Sequence, residues 1–150
     1  MQAIGKLKVS TLFIGLFFLC GNPLLGDNQT WKVEVGGKTE WKDTGADVRA
    51  GDKLLITATG TLQYPSSQPT GPDGLPRGWA DLLRQLPVGE AGRGALIGRI
   101  GDGDAALPFR VGARRQLDAT ESGRLYLSVN QGKNDESHMN SGSSLLSVAS

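Results

Sequence analysis

The sequence predicts an all-β fold, a jelly-roll-like β-sandwich of short antiparallel strands with one short helix near 79–86. Three observations predict it. Apolar and polar residues alternate with strand period in several runs, most clearly Lys53–Thr59 and Gly123–Asn130. Turn signals built from Gly, Asp, Asn and Pro recur about every 8–12 residues. Glycine is abundant, at 22 of 150 residues, while apolar residues make up only 38%, a mixture that favours many short strands over long helices.

Taken in order, Trp31-Lys-Val-Glu-Val35 alternates and reads as a strand, closed by Gly36-Gly37. Trp41 to Gly45 follows, with Asp43 and Gly45 as turn residues, and Ala50-Gly51-Asp52 forms a second turn. Lys53 to Thr59 puts Leu54, Ile56 and Ala58 on one face and Leu55, Thr57 and Thr59 on the other. Gly60 marks a bulge before Thr61 to Tyr64. Pro65, Pro69, Pro72 and Pro76 then exclude any regular element across 65–78. Trp79, Leu82, Leu83 and Leu86 fall at helical spacing, which predicts a short helix stopped by Pro87, its apolar stripe packed on a sheet. Further strands are expected at Gly94–Ile100, Leu107–Val111, Arg115–Ala119, Gly123–Asn130 and Ser144–Val148.

Residues 1–26 read as a secretory signal and 27–150 as a single domain. Lys6 and Lys8 precede an apolar run from Val9 to Cys20 that is short for a membrane span. Cleavage is expected near 21–26. Two alternatives stay open, a lipoprotein cut at Cys20 and an uncleaved anchor. The expected location is therefore periplasmic or extracellular, with no membrane contact for the mature domain unless Cys20 is lipidated. Cys20 is the only cysteine, so a mature domain would lack a disulfide although export permits one. A chain of about 125 residues can bury a sufficient core without it. A formal charge of +1 offers no field for nucleic acid.

Two stretches carry most of the functional information. Tyr64 to Gly74 and Asn130 to Gly142 each follow a strand-like run, and both are rich in oxygen-bearing side chains. Such loops suit a hard cation or a sugar. They match no Gly-x-Gly-x-x-Gly, P-loop or Gly-x-Ser-x-Gly pattern. Asn130, Asn134, Asp135, Glu136 and Asn140 offer amide and carboxylate oxygens for calcium, while Lys133 adds an opposing charge. The plain reading of the same stretch is a polar surface loop. Asp102 and Asp104 form a carboxylate pair that a metal or a glycoside hydrolase could use, but Gly-Asp-Gly-Asp between two strands reads first as a hairpin turn. His138 lacks partners for a zinc site. Trp31 and Trp41 are expected in the core, and Trp79 is the best candidate to stack on a sugar.

Beyond these single features, the order of Trp41-Lys-Asp-Thr-Gly45, Gly51-Asp52, Ile56-Thr-Ala-Thr-Gly60, Tyr64, Gly71-Pro-Asp-Gly74, Gly94 to Gly101, Gly123-Arg-Leu-Tyr-Leu127 and Asn140-Ser-Gly-Ser143 resembles the calcium-dependent galactose-binding bacterial lectins of the LecA type. The resemblance runs from about Trp31 to the C-terminus. It implies a small jelly-roll-like sandwich with one calcium at its edge, coordinating hydroxyls of a galactoside. It implies a backbone carbonyl ligand from Tyr64, side-chain ligands at Asn130-Gln131 and Met139-Asn140, and a carbonyl from around Asn134 to Glu136.

This chain departs from the family pattern at Gln131, where an aspartate is expected, and at Met139, where an asparagine or aspartate is. The sugar-contacting histidine expected after Gly74 is absent from Leu75–Asp81. With fewer charged ligands, calcium would be held weakly or not at all. The resulting expectation is an exported, non-catalytic domain that binds carbohydrate, galactosides first, through Tyr64, Trp79, Asn130, Gln131 and Asn140. Calcium ligands would come from Tyr64, Asn130, Gln131, Asn134, Asp135 and Asn140. The alternatives are a structural or protein-interaction sandwich without an ion, and a glycoside hydrolase using Asp102, Asp104 or Asp135.

Overall fold

The computed structural model describes residues 28–36, 40–65, 67–133, 135 and 138–149, the last stretch as backbone. The alternating runs form strands β1 (Asn28–Val33), β2 (Lys42–Val48), β3 (Lys53–Gln63), β4 (Leu96–Ile100), β5 (Phe109–Arg110), β6 (Arg114–Asp118), β7 (Gly123–Val129) and β8 (His138–Ala149). They build two four-stranded antiparallel sheets, ordered β1-β8-β3-β6 and β2-β7-β4-β5. The chain changes sheet at almost every connection, which makes a sandwich rather than a meander.

Period-two alternation sorts the side chains as the sequence predicts. Leu54 and Ile56 of β3 and Leu125 and Leu127 of β7 are wholly buried between the sheets, with Val48, Leu96 and Val111 beside them. Trp31 packs against this core. The second sheet is covered on its outer face as well. Ile97 points away from Leu96 into a small cluster with Val88, Ala91 and Ala95, which Trp41 flanks. Trp41 also carries the Arg99 guanidinium 4.5 Å from its ring centre. Two core layers on one sheet fix β4 and β7 from both sides, and these strands lead into the loops described below.

Four local expectations are corrected. Asp43 and Gly45 do not turn the chain; they lie within β2, whose pairing with β7 shifts register between Asp43 and Asp47. Gly45 takes φ +82° there, and its N–H donates to Asp43 Oδ1 at 2.8 Å. Gly60 does not break β3, which runs unbroken to Gln63; the irregularity falls on β8, where Thr61 pairs with Ser141 and Leu62 with Met139, leaving Asn140 as the extra residue. Residues 138–142 belong to strand β8 rather than to a loop. Finally, 79–86 is not an amphipathic helix. Trp79–Leu83 forms one 3₁₀ turn, and Trp79, Leu82 and Leu83 are 80%, 74% and 81% exposed. Pro76, Gly78 and Pro87 leave too little chain to nucleate an α-helix, and Asp81 Oδ2 accepts the Gly78 N–H instead, at 2.9 Å.

The β2 bulge is bridged by one side chain. Arg124 donates from Nε to Asp47 at 2.8 Å and from Nη1 to Asp43 at 3.1 Å. The Gly45 N–H, together with Arg124, holds the Asp43 carboxyl below its ordinary value of 3.8, and both aspartates raise the Arg124 guanidinium. A depressed carboxyl stabilises the fold above its unfolded value and loses that contribution as pH falls through its lower folded value. The melting-temperature difference between wild type and Asp43→Ala should therefore be larger at about pH 6 than at about pH 2. Thermal melts across that range check it; a difference that stays constant removes the charge from the account.

Candidate functional site

The end of β3, the segment 70–95 and the segment 130–135 meet at one edge of the sandwich. Tyr64 follows β3 directly and is wholly buried. Its hydroxyl donates to Gln131 Oε1 at 2.9 Å, tying the end of β3 to the residues beyond β7. Gly94 makes room for the ring. At φ +88° it occupies a conformation other residues rarely adopt, and a Cβ there would stand 2.8 Å from Thr70 Cγ2 and 3.1 Å from Tyr64 Cε2. The Arg93 guanidinium covers the Tyr64 ring, 4.4 Å from its centre.

Asn130, also wholly buried, sets the height of the surrounding loops. Its Oδ1 accepts the Val88 N–H at 2.9 Å. Its Nδ2 donates to the carbonyls of Val88, Ala91 and Gly92 at 3.0, 3.0 and 3.2 Å. Its backbone pairs with Gly94 N–H and Ala95 carbonyl, both at 2.8 Å. One amide thus satisfies a tight loop that no strand reaches, as a buried backbone requires. The adjoining backbones are equally close: Leu75 N–H donates to Arg93 carbonyl and Leu96 N–H to Pro72 carbonyl, each at 2.8 Å.

Charge concentrates outside this buried layer. Asp135 Oδ1 receives Arg84 Nη1 at 2.8 Å and Arg93 Nη1 at 3.3 Å, while its Oδ2 accepts the Gly132 N–H at 2.9 Å. Arg84 Nε also lies 3.6 Å from Asp81 Oδ1, which links the exposed 3₁₀ turn to the 132–135 turn. A cavity of about 400 Å³ opens here, lined by Arg84, Gln85, Gly132, Lys133 and Asp135.

The structure therefore brings Tyr64, Gln131 and Asp135 together. The backbone of Asn140 sits at the same end of its sheet, at the β8 bulge opposite Thr61 and Leu62. Asn134 lies outside the described residues. Trp79 stands exposed on the turn that leads into Arg84. Asp102 and Asp104 are exposed between β4 and β5, away from these residues in the sequence of elements.

The described donors do not fit calcium. Tyr64 carbonyl already accepts Gln63 Nε2 at 2.9 Å and Ser67 N–H at 3.2 Å. Gln131 Oε1 takes the tyrosine hydroxyl, and the Asn130 amide is spent on the 88–92 loop. Asp135 is shared by two guanidiniums, whose charge repels a divalent ion. Among the described residues no group of three or more His, Cys, Asp or Glu could hold a metal. Arg84 and Arg93 are the residues that sequence reasoning missed as site members. Lys133 was the only visible signal, as a cation inside an oxygen-rich loop.

Comparison with solved structures bears on the fold. The chain is similar to a domain described as "EclA N-terminal domain; PllA-like lectin", at 23% identity and a TM-score of 0.56, over 79% of this chain and 94% of that one. That likeness establishes the fold. Two chains of a functionally unknown protein from Bacillus anthracis str. Ames align at TM-scores of 0.40 and 0.38 over 22% and 21% of their length, and bear no weight. No protein-family model and no curated protein matches the sequence.

Because Asn130 serves the loops, its removal should act on stability. Asn130→Ala strands the Val88 N–H and the Ala91 carbonyl and takes one of two donors from the Val88 and Gly92 carbonyls, an expected cost of about 3 kcal/mol. Gly94→Ala forces a side chain into a left-handed conformation against Tyr64, at roughly 2 kcal/mol. Denaturant titration reads both; an unchanged midpoint for either would remove that residue from the architecture of the edge.

Proposed function

We propose that the protein is an exported, non-catalytic, lectin-like domain that binds carbohydrate at the edge formed by Tyr64, the 71–81 loop and the 130–135 loop. The observation that carries this reading is convergence. Two segments far apart in sequence, 84–85 and 132–135, line one open cavity beside the Tyr64–Gln131 contact, on a sandwich that shares its fold with a PllA-like lectin. The cavity offers guanidinium, ammonium, amide and carboxylate groups, a set that can hydrogen-bond to sugar hydroxyls. Trp79, exposed on the 3₁₀ turn that precedes Arg84, supplies a flat apolar surface for the face of a pyranose ring. On this reading Gln131 and Tyr64 act as the floor of the site and Asn130 as its frame, rather than as ligand contacts.

Calcium has no part in the reading, because the described oxygens it would use are committed to protein donors. Export rests on residues 1–26. Titration calorimetry of the protein with a panel of neutral and acidic oligosaccharides, galactosides included, tests it. Binding should be unchanged by chelator and should weaken about tenfold in Trp79→Ala. Heat with none of the saccharides would leave the second reading, a protein-interaction sandwich. The exposed Trp79, Leu82 and Leu83 favour that alternative.

A further inference from the structure

We propose that the cavity beside Asp135 binds the carboxylate of an acidic saccharide, a uronic acid unit, through the Arg84 guanidinium and the Lys133 ammonium and without a metal ion. The inference deepens the carbohydrate reading and rests on it. Among the described residues, three cations, Arg84, Arg93 and Lys133, stand at the cavity and its ion pairs against two carboxylates, Asp81 and Asp135. Asp135 is the apparent obstacle to an anion, but it is bracketed by two guanidiniums and its side chain is only 14% exposed. Its charge is more than offset where it stands.

The described charges leave a net excess of one positive charge, and two of the cations keep donors for a ligand. Lys133 is exposed, lines the cavity and pairs with no described residue. Arg84 is 35% exposed and uses Nη1 and Nε towards Asp135 and Asp81, while its Nη2 donates to no described residue. A guanidinium held in place by two carboxylates presents its remaining N–H groups in a fixed direction, which suits a planar carboxylate acceptor. Partial burial strengthens the pairing relative to open solvent. A neutral sugar could accept the same donors through its hydroxyls but would gain nothing from their charge. A uronate ring carries carboxylate and hydroxyls together, and Gln85 on the cavity wall can meet the latter.

The test is calorimetric titration of the full-length protein with a galacturonate oligomer and with its methyl-esterified counterpart, with and without chelator. The acid should bind about tenfold tighter than the ester, chelator should change nothing, and added salt should weaken the acid alone. Arg84→Gln should erase about tenfold of the acid's affinity. Because Arg84 also braces Asp135, Lys133→Gln is the cleaner variant; it should cost about fivefold towards the acid and leave the ester unaffected. Equal binding of acid and ester would overturn the proposal while sparing the carbohydrate reading. Binding of neither, together with no heat from neutral sugars, would overturn both. Acid binding abolished by chelator would overturn the metal-free assignment.

Discussion

The buried amide of Asn130 is the interaction on which the architecture of this edge depends. Strand β7 ends at Val129, and the next side chain reaches back under the 88–92 loop to satisfy one N–H and three carbonyls. Those groups lie outside either sheet, and the Val88 N–H and the Ala91 carbonyl, which have no other described partner, would cost free energy if left unpaired away from water. Fixing them also fixes Arg93 and Gly94 a residue or two later, and so the ring of Tyr64. The Gly94 N–H to Asn130 carbonyl bond closes the loop on the strand that positions it. The site is thus an extension of the outer core layer, where Val88, Ala91 and Ala95 cover Ile97.

The strands were legible in the sequence because period-two alternation is a local property. Leu54 and Ile56, and Leu125 and Leu127, declare their inner face from spacing alone, and each is buried. What was not legible depends on partners. Glycine marks irregular backbone and so points to a bulge at Gly60, yet the extra residue falls across the ladder at Asn140, where nothing local distinguishes it. Asp43 and Gly45 have turn chemistry, and a bulge in β2 uses the same chemistry; the register with β7 decides between them. The 79–86 spacing was helical, but Gly78 and Pro87 limited it to one 3₁₀ turn whose apolar side chains meet no sheet.

The site was legible in its outline and not in its chemistry. Oxygen-rich loops at strand ends were visible, and Tyr64, Gln131 and Asp135 do come together. Their neutralisation was invisible, since Arg84 and Arg93 come from a different segment and each looks like an ordinary surface cation. Counting oxygens in a loop estimates capacity for a cation only if those oxygens remain available. Here Tyr64 carbonyl, Gln131 Oε1, Asn130 Oδ1 and both Asp135 oxygens have protein donors. Lys133 within the loop was the one indication that positive charge would be supplied by the chain itself.

A tethered guanidinium and a bound metal ion neutralise such a loop in different ways, and the difference shapes what the edge can recognise. A metal ion accepts lone pairs, so it can take sugar hydroxyls directly into its coordination shell and can leave with the solvent composition. A guanidinium only donates, holds its charge at all accessible pH and cannot dissociate. Replacing one by the other turns an electron-pair acceptor into a fan of N–H donors. Hydroxyls still bind such a surface through their acceptor lone pairs, but an oxygen bearing formal charge binds it better. On the proposed reading the bridge from Arg84 to Asp135 does two things at once: it ties the 132–135 turn to the 3₁₀ turn without a metal, and it leaves guanidinium and ammonium donors at the cavity whose charge would favour acidic ligands over neutral ones.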